Sequence, residues 1–374
     1  MLCKKVELQN FRNAECETVT FDSGINVLHG ENAQGKTNLL EAIYYISLGK
    51  SFRGSKDAEI IRFGEEYAAI SLDFIAEDRE QNVTMRFSDN ARQKKTVTHN
   101  GVKITKLSEL VGEFRAVLFS PDHLQMIKDG PSLRRNYLDV AISQLRPMYL
   151  HSLQKYNKIL LNRNKLIKNA EEDRATFDST VDFWSAQLAH EAAVIARARA
   201  EYVQKSGAII ADFYKRMCQS GEIDETPELI YAGSAKQDGE LYFDTEVTEK
   251  NFLRLLTDFH EREIAAGSTL YGIHKDDIII NLNGKNTRLY SSQGQQRSLA
   301  LAMKLAEGEI CRMDCGEYPV FLFDDVFSEL DSIRRRNLLR EISDRQVIIT
   351  SCESDMDFDI PYRRIEVAKG KYIS

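Results

Sequence analysis

Gly30 to Thr37 read GENAQGKT, which places two glycines, a lysine and a hydroxyl at the spacing G-x-x-x-x-G-K-[ST]. The glycines, with Glu31, Asn32, Ala33 and Gln34 between them, let backbone N–H groups turn inward around phosphate oxygens. Lys36 then reaches β- and γ-phosphates, and the Thr37 hydroxyl is placed to ligate Mg²⁺. The context fits, because the loop follows a short apolar strand (Ile25, Val27, Leu28) and opens an apolar-periodic helix (Leu39, Leu40, Ile43, Ile46). A helix N-terminus there adds its partial positive charge to the anion site.

A second chemical signature lies near the far end, where the apolar run PVFLF stops on Asp324 and Asp325. Two adjacent carboxylates at a buried strand end repel unless a cation or substrate compensates them. Beside a phosphate loop, Asp324 is expected in the Mg²⁺ shell and Asp325 is expected to orient or deprotonate an attacking water. The plainer alternative is a solvated Asp-Asp turn capping the next helix. A third element, SSQGQQR (Ser291 to Arg297), precedes a long helix whose N-terminal amides it would aim outward. Since Lys36 already anchors one phosphate cradle, a second anion site suggests a nucleotide presented by another subunit.

The elements that must position these residues are α/β in texture. Strand-like segments fill the first hundred residues (VELQNF, AECETVTF, INVLH, YAAISLDFI, NVTMRFS, KKTVTHNGVKI), with Asn100-Gly101 marking a hairpin. From about Pro131 to Phe213 the apolar spacing is helical. Strands return with DDIIINL, followed by the helix QQRSLALAMKLAEGEICRM, the run PVFLFDDV, the helix SIRRRNLLREIS and a last strand VIITS. The expected division is 1–130 for the N-terminal part of a nucleotide-binding head, 131–265 for an inserted helical lobe, and 266–374 for the rest of the head. The acidic stretch from Glu222 to Asp244 is the expected mobile link.

Composition narrows the class. At 43% hydrophobic and 29% charged residues over 374 positions the chain is globular, and a net charge of −7 excludes global attraction to a polyanion. Six cysteines without a CxxC pair argue against zinc or a disulfide framework. No signal-length or membrane-length apolar run occurs, so a cytoplasmic protein with no membrane partner is expected.

Taken together, these segments resemble the ABC-type P-loop ATPase heads, with Ser292 to Gln295 standing where that class carries its LSGGQ element. The NFRN turn (Asn10 to Asn13), SFRG (Ser51 to Gly54), YGIHKDD (Tyr271 to Asp277) and SSQGQQRSLALAMKLAE make it similar, within that class, to the RecF family of bacterial recombination mediators, relatives of the SMC ATPases. Lys36 and Ser292 are 256 positions apart, more than a compact transporter insertion and far fewer than a long coiled-coil arm.

The resemblance implies an ATP- and Mg²⁺-binding head with an inserted, mainly helical second domain. It implies ATP on Gly30 to Thr37, metal at Thr37 and Asp324, and Ser292 and Gly294 meeting the γ-phosphate of a partner across an ATP-dependent homodimer. Arg12 is implied as an α-phosphate or adenine-side contact. It further implies DNA binding, gap repair, the SOS response, and RecR and RecO as partners. Two departures stand out. Asp325 replaces the usual Glu, so slow hydrolysis is expected, and the switch histidine after the last strand is missing, since VIIT runs into Ser351. Gln125 is a candidate for the glutamine switch. A nucleotide-binding DNA scaffold without turnover is the competing reading.

For DNA, the region between Asp139 and Glu171 has no acidic residue but holds Arg146, Lys155, Lys158, Arg163, Lys165 and Lys168. Helical spacing puts Lys155, Lys158 and Lys165 on one face and Tyr149, Leu153, Tyr156, Leu160 and Ile167 opposite. Such a stripe can follow a phosphate backbone, though an ordinary solvated face has the same pattern. Arg92, Lys94, Lys95, Arg53 and Lys56 are further basic candidates, and His274 is expected to be structural.

Overall fold

The computed structural model of the chain describes residues 1–89, 94–218, 225–235, 237, 239–353 and 360–373. Strands β1 (Leu2–Phe11), β2 (Ala14–Thr20) and β3 (Ile25–His29) lead to helix α1 (Lys36–Leu48). Strands β4 (Tyr67–Ala76), β5 (Arg79–Ser88), β6 (Lys95–His99), β7 (Val102–Ile104) and β8 (Ala116–Phe119) follow. Helices come next: α2 (Pro121–Lys128), α3 (Pro131–Leu145), α4 (Pro147–Lys168) and α5 (Arg174–Met217). A smaller mixed stretch holds β9 (Pro227–Ala232), α6 (Thr245–Asp258), α7 (His260–Ala266), β10 (Asp277–Leu282), β11 (Lys285–Asn286) and α8 (Thr287–Tyr290). The chain ends with α9 (Gln293–Cys315), β12 (Val320–Phe323), α10 (Ser332–Ile342), β13 (Val347–Ser351), β14 (Tyr362–Ala368) and β15 (Lys371–Ile373).

Two compact units result, one of Met1–Leu124, Asp212–Ile223 and Gln293–Ser374, the other of Gln125–Ala211 and Asp224–Ser292. The first unit is the head. It contains an antiparallel sheet in the order β2-β1-β4-β5-β6-β7 and a second sheet in the order β15-β14-β3-β13-β12-β8, parallel except at β15. The alternating burial of β4 marks a sheet with one covered face, whereas β12 and β13 are buried at every position. Helix α1 shares one hydrophobic core with residues of both sheets, among them Leu72, Phe87, Leu322 and Ile348. That is why it is apolar almost all round instead of along one stripe. At the hairpin between β6 and β7, Asn100 and Gly101 both have positive φ, the backbone a tight two-residue turn needs.

The second unit, the lobe, is helical around α3, α4 and α5, with a small antiparallel sheet in the order β11-β10-β9. Its interior is tied by two fully buried arginines. Arg163 donates to Glu263, Ser185, Thr269 and the Leu256 carbonyl, and Arg199 donates to Asp139, Tyr149 and the Ile273 carbonyl. Among the described residues, no helix is long and apolar enough to cross a membrane.

Three expectations need correction. The chain passes between the compact units at 124/125, 211/212, 223/224 and 292/293, whereas a single insert over 131–265 is expected from the sequence; DDIIINL pairs with β9 inside the lobe and does not return to the head. VIITS is not the last strand, since β14 pairs in parallel with β3 and continues the sheet. Within the acidic stretch from Glu222 to Asp244, residues 222–224, 236 and 238 lie outside the described residues, and much of the rest is ordered as β9 and a 3₁₀ turn at Gly239–Phe243.

Candidate functional site

The phosphate loop runs from the end of β3 to the start of α1, and its backbone conformation explains its residue types. A Cβ at Gly30 would sit 2.2 Å from the Val367 carbonyl oxygen, so only glycine fits against β14 there. Gly35 caps α1 with φ of 116°, a left-handed value glycine adopts without strain. Lys36 is buried and its Nζ donates back to the carbonyls of Gly30 at 2.5 Å and Glu31 at 2.8 Å. This holds the loop curled over the ammonium, the shape a phosphate cradle requires.

The loop is clasped from two sides. Asn13 Nδ2 donates to the Gln34 carbonyl at 3.0 Å, and Asn13 Oδ1 accepts from Asn38. From the turn between β14 and β15, the Gly370 N–H donates to the Gln34 carbonyl and the Lys369 N–H to Gln34 Oε1. The Tyr372 hydroxyl donates to the Gly35 carbonyl at 2.9 Å. Sequence reasoning missed this second clasp; the alternation in YRRIEVA followed by Lys369-Gly370 is the signal that could have revealed it.

The paired carboxylates meet the loop directly. Thr37 Oγ1 donates to Asp324 Oδ1 at 2.7 Å, joining the first turn of α1 to the end of β12. Thr350, at the end of β13, donates to the same oxygen at 3.0 Å and accepts the Asp325 N–H at 2.8 Å. Asp325 has φ of 53°, an uncommon value for a residue with a side chain, and the Thr350 hydroxyl holds it there. Burial, with the neighbouring Asp325 carboxylate, raises the Asp324 pKa above the ordinary carboxylate value, against the two hydroxyl hydrogen bonds that lower it. Thr350 was not singled out from the sequence, because one hydroxyl at the end of an apolar strand carries no motif. Cys352 completes the rim, its thiol donating to Asn32 Oδ1 at 3.3 Å.

The other expected residues are placed differently. Arg12, with φ of 55°, is committed through Nε, Nη1 and both hydrogens of Nη2 to Glu41, the Glu59 carbonyl and Ser55. These bonds tie Arg12 to buried Glu41, and among the described residues one N–H of Nη1 has no partner. Ser292 is exposed immediately before α9, and Gly294 lies where a Cβ would come 3.0 Å from Arg334 Nη2. Arg334 in turn donates to Ser298 at 2.7 Å, fastening the start of α9 to α10. Gln125 is exposed on α2. His274 accepts from or donates to the Tyr156 hydroxyl at 2.6 Å and contacts the Thr269 carbonyl at 3.2 Å, and burial pushes its pKa down to about 4.

On α4, Lys155, Lys158 and Lys165 are exposed. The buried face is Tyr149, Ser152, Tyr156, Ile159, Arg163 and Ile167, with Leu153 and Leu160 only partly covered. Arg163 belongs to the interior network and not to the basic face. Lys155 pairs with Glu191 at 3.4 Å. Among the further basic candidates, Lys95 is occupied by Tyr45, the Gly49 carbonyl and Asp57, Arg53 contacts Asn38, and Arg92 lies outside the described residues.

A family model described as the RecF/RecN/SMC N-terminal domain matches residues 2–367. The "DNA replication and repair protein RecF" of a Thermoanaerobacter species is 39% identical over 351 residues, 94% of each chain. The chain belongs to the RecF family. The RecF of Acetivibrio thermocellus is 35% identical over 377 residues, the full length of both. Among solved structures, the recombination mediator protein RecF-ATP of the RecFOR pathway superposes with a TM-score of 0.89 at 35% identity, over all of this chain and 98% of the other. The Smc head of Pyrococcus furiosus superposes with a TM-score of 0.58 at 16% identity, covering 100% and 95%, which shows a shared head fold. The architecture is thus the ABC-type ATPase head, here with a RecF-type inserted helical domain.

Proposed function

We propose that the protein is an ATP-gated DNA-binding switch of replication and recombinational gap repair. The observation that carries this reading is the hydrogen bond from Thr37 to Asp324, which brings the phosphate loop and the paired carboxylates into one site. The donor set fits a nucleotide with Mg²⁺: a loop that only glycine can close at Gly30, a lysine held inside it, and a hydroxyl hydrogen-bonded to a buried carboxylate that makes no ion pair among the described residues. Bound ATP would supply the phosphate chain, and Mg²⁺ would neutralise its charge, held by Thr37 and Asp324; Mg²⁺ commonly takes one or two protein ligands and completes its shell with phosphate and water.

The chain's own residues then divide the work. Gly30 to Thr37, with Glu31, Asn32, Ala33 and Gln34, present amides to the phosphates, and Lys36 turns from the loop carbonyls towards added negative charge. Asp325 is aimed by the Thr350 hydroxyl and orients or deprotonates the attacking water; being one methylene shorter than Glu, it works slowly. Ser292, exposed just ahead of α9, and Gly294, in the first turn of α9, face the γ-phosphate held by a second copy, so ATP closes a homodimer and hydrolysis opens it. The closed dimer holds DNA through Lys155, Lys158 and Lys165. In keeping with the RecFOR setting of the solved relative, RecR and RecO are its partners in loading recombinase, and the SOS response and the cytoplasm are its setting.

Sedimentation with and without ATP and Mg²⁺ tests the switch: association that depends on both is expected, and a constant size overturns it. Lys36→Arg should abolish that dependence while folding survives, because the guanidinium lacks the compact fit of an ammonium. Changing Lys155, Lys158 and Lys165 together to Glu should weaken DNA binding and flatten its salt dependence with ATP binding intact. Phosphate release in the presence of DNA separates the switch from a scaffold without turnover.

A further inference from the structure

Between α4 and α5 the lobe carries a groove of about 730 Å³, whose walls include Lys158 and Asn162 on one side and Phe183, Trp184, Gln187 and His190 on the other. Phe183 is 61% exposed and packs edge-on against Trp184 with ring centroids 5.6 Å apart. Two aromatic rings at an open groove are a costly use of surface unless something covers them. The side-chain amides of Asn162 and Gln187 have no hydrogen-bond partner among the described residues, and both line the groove.

The charge at the groove is equally specific. Helix α4 has no acidic residue along its length, and Lys158, Lys165 and Lys168 have no ion-pair partner among the described residues. Glu191, the acid that lines the groove, is paired with Lys155 at 3.4 Å, and His190 is paired with Glu249 at 2.9 Å. A cationic wall facing an exposed phenyl ring, a half-buried indole and free amides matches a ligand that is anionic along a chain, flat and apolar on its faces, and polar at its edges. An entirely apolar segment would satisfy the rings but bury the amides and Lys158 without partners.

Resting on the reading of α4 as a DNA-binding face, we infer that this groove takes a single-stranded nucleic-acid segment with an unstacked base on Phe183 and Trp184. The phosphates run along Lys158 and Lys165, and Asn162 and Gln187 meet base edges. An intact duplex keeps its base faces covered and cannot use the rings, so the groove distinguishes unstacked from stacked DNA. Stacking on aromatic side chains tolerates any base, and the site therefore carries little sequence preference.

Trp184 is the only tryptophan of the chain, so its fluorescence reports on this groove alone. The full-length protein with ATP and Mg²⁺ is titrated with a thymidine oligonucleotide and, separately, with a blunt duplex of equal length. The oligonucleotide should quench Trp184 to saturation, with an affinity that falls as salt rises, and the duplex should not quench it. Phe183→Ala, at an exposed position, should weaken the oligonucleotide by about 10-fold and leave duplex affinity unchanged. Trp184→Phe, read by anisotropy of a labelled oligonucleotide, should keep most of the affinity, because one ring replaces another. Oligonucleotide binding without quenching, or equal weakening of both DNAs by Phe183→Ala, overturns the inference. So does quenching by an acidic, aromatic-containing peptide where the oligonucleotide gives none, since the groove then receives a protein. If the triple Glu variant of α4 abolishes DNA binding while Phe183→Ala is silent, the stacking site fails and the basic face stands; if the triple variant binds normally, the basic face itself fails.

Discussion

The buried arginines of the lobe and the buried Asp324 of the head resolve their charge in opposite ways. In the lobe, Arg163 has Glu263 at 2.6 Å and three further acceptors, and Arg199 has Asp139 at 2.8 Å with Asp276 at 3.6 Å. Each cation meets its counter-ion inside the same unit. In the head, Asp324 is buried next to Asp325, and the groups that bond its carboxylate are two neutral hydroxyls, Thr37 and Thr350. A buried charge whose partner comes from the fold is framework; one left waiting for a cation marks a place where something must arrive.

The largest expected effect sharpens the head's side of this contrast. Asp325→Asn keeps the size and removes the charge proposed to orient water, so turnover should fall by about 10²- to 10⁴-fold while ATP still binds and dimers form. The blocked dimer should be longer-lived and hold DNA more tightly. Ser292→Arg should do the reverse, keeping ATP binding but preventing association, because a bulky cation meets the partner head. Mixing the two variants should give less association in ATP than Asp325→Asn alone. If Ser292→Arg associates like the parent, the composite site is lost and only a self-contained one remains.

Stability gives the next comparison. Arg163→Met leaves Glu263 charged and unpaired in the lobe and should cost about 3–5 kcal/mol in denaturant unfolding. Asp324→Asn removes a charge that the head compensates poorly, and an amide can still accept from Thr37 and Thr350. Its nucleotide-free stability should be unchanged or higher, with the loss confined to Mg²⁺-dependent ATP binding. A large destabilisation by Asp324→Asn would mean that its charge is framework after all.

How much of this could be read from the sequence follows the same line. The loop Gly30 to Thr37 and the pair Asp324 and Asp325 are legible because their chemistry imposes fixed residue types at fixed spacing. The two long helices of the lobe are legible from period alone. What escaped is what depends on contacts distant in the chain. Arg12 is implied as a nucleotide contact by the resemblance alone, and nothing local shows that Glu41, 29 positions away, bonds its guanidinium. Arg163 reads as one more cation on a basic helix until Glu263, 100 positions on, turns it inward. DDIIINL reads as a strand, and nothing local says whether it pairs in the head or with β9. The clasp from Lys369 and Gly370 on Gln34 joins opposite ends of the chain; YRRIEVA and Lys369-Gly370 mark a strand and a turn, but nothing local names Gln34 as their partner.

Thr350 tests whether the head's carboxylates depend on their positioning hydroxyl. Thr350→Val is nearly isosteric but strands the Asp325 N–H and removes one hydrogen bond to Asp324. Turnover should fall about 10-fold, the value of roughly one hydrogen bond, with ATP affinity little changed, and Thr350→Ser should restore it. Equal loss from Ser and Val would assign the effect to packing of the methyl group.

The smallest effect concerns pH and separates the lobe's buried groups by sign. His274 is held neutral by burial, with Lys275, Arg135 and Arg163 also opposing its protonation, and its pKa in the fold is about 4 against an ordinary 6.5. Between those values the unfolded chain binds a proton that the native chain does not, so lobe stability should fall as pH drops from 6.5 towards 4. The slope contributed by this one group is at most about 1.4 kcal/mol per pH unit. Asp276 works the other way: burial raises its pKa despite Arg199, so its contribution diminishes as pH rises above the ordinary carboxylate value. His274→Asn, which keeps a polar partner for Tyr156 but cannot titrate, should flatten the fall between pH 6.5 and 4 in urea unfolding monitored by Trp184. If the pH dependence persists undiminished in that variant, the acid sensitivity belongs elsewhere, with buried His123 of the head, whose pKa is pushed to about 3, the next group to replace.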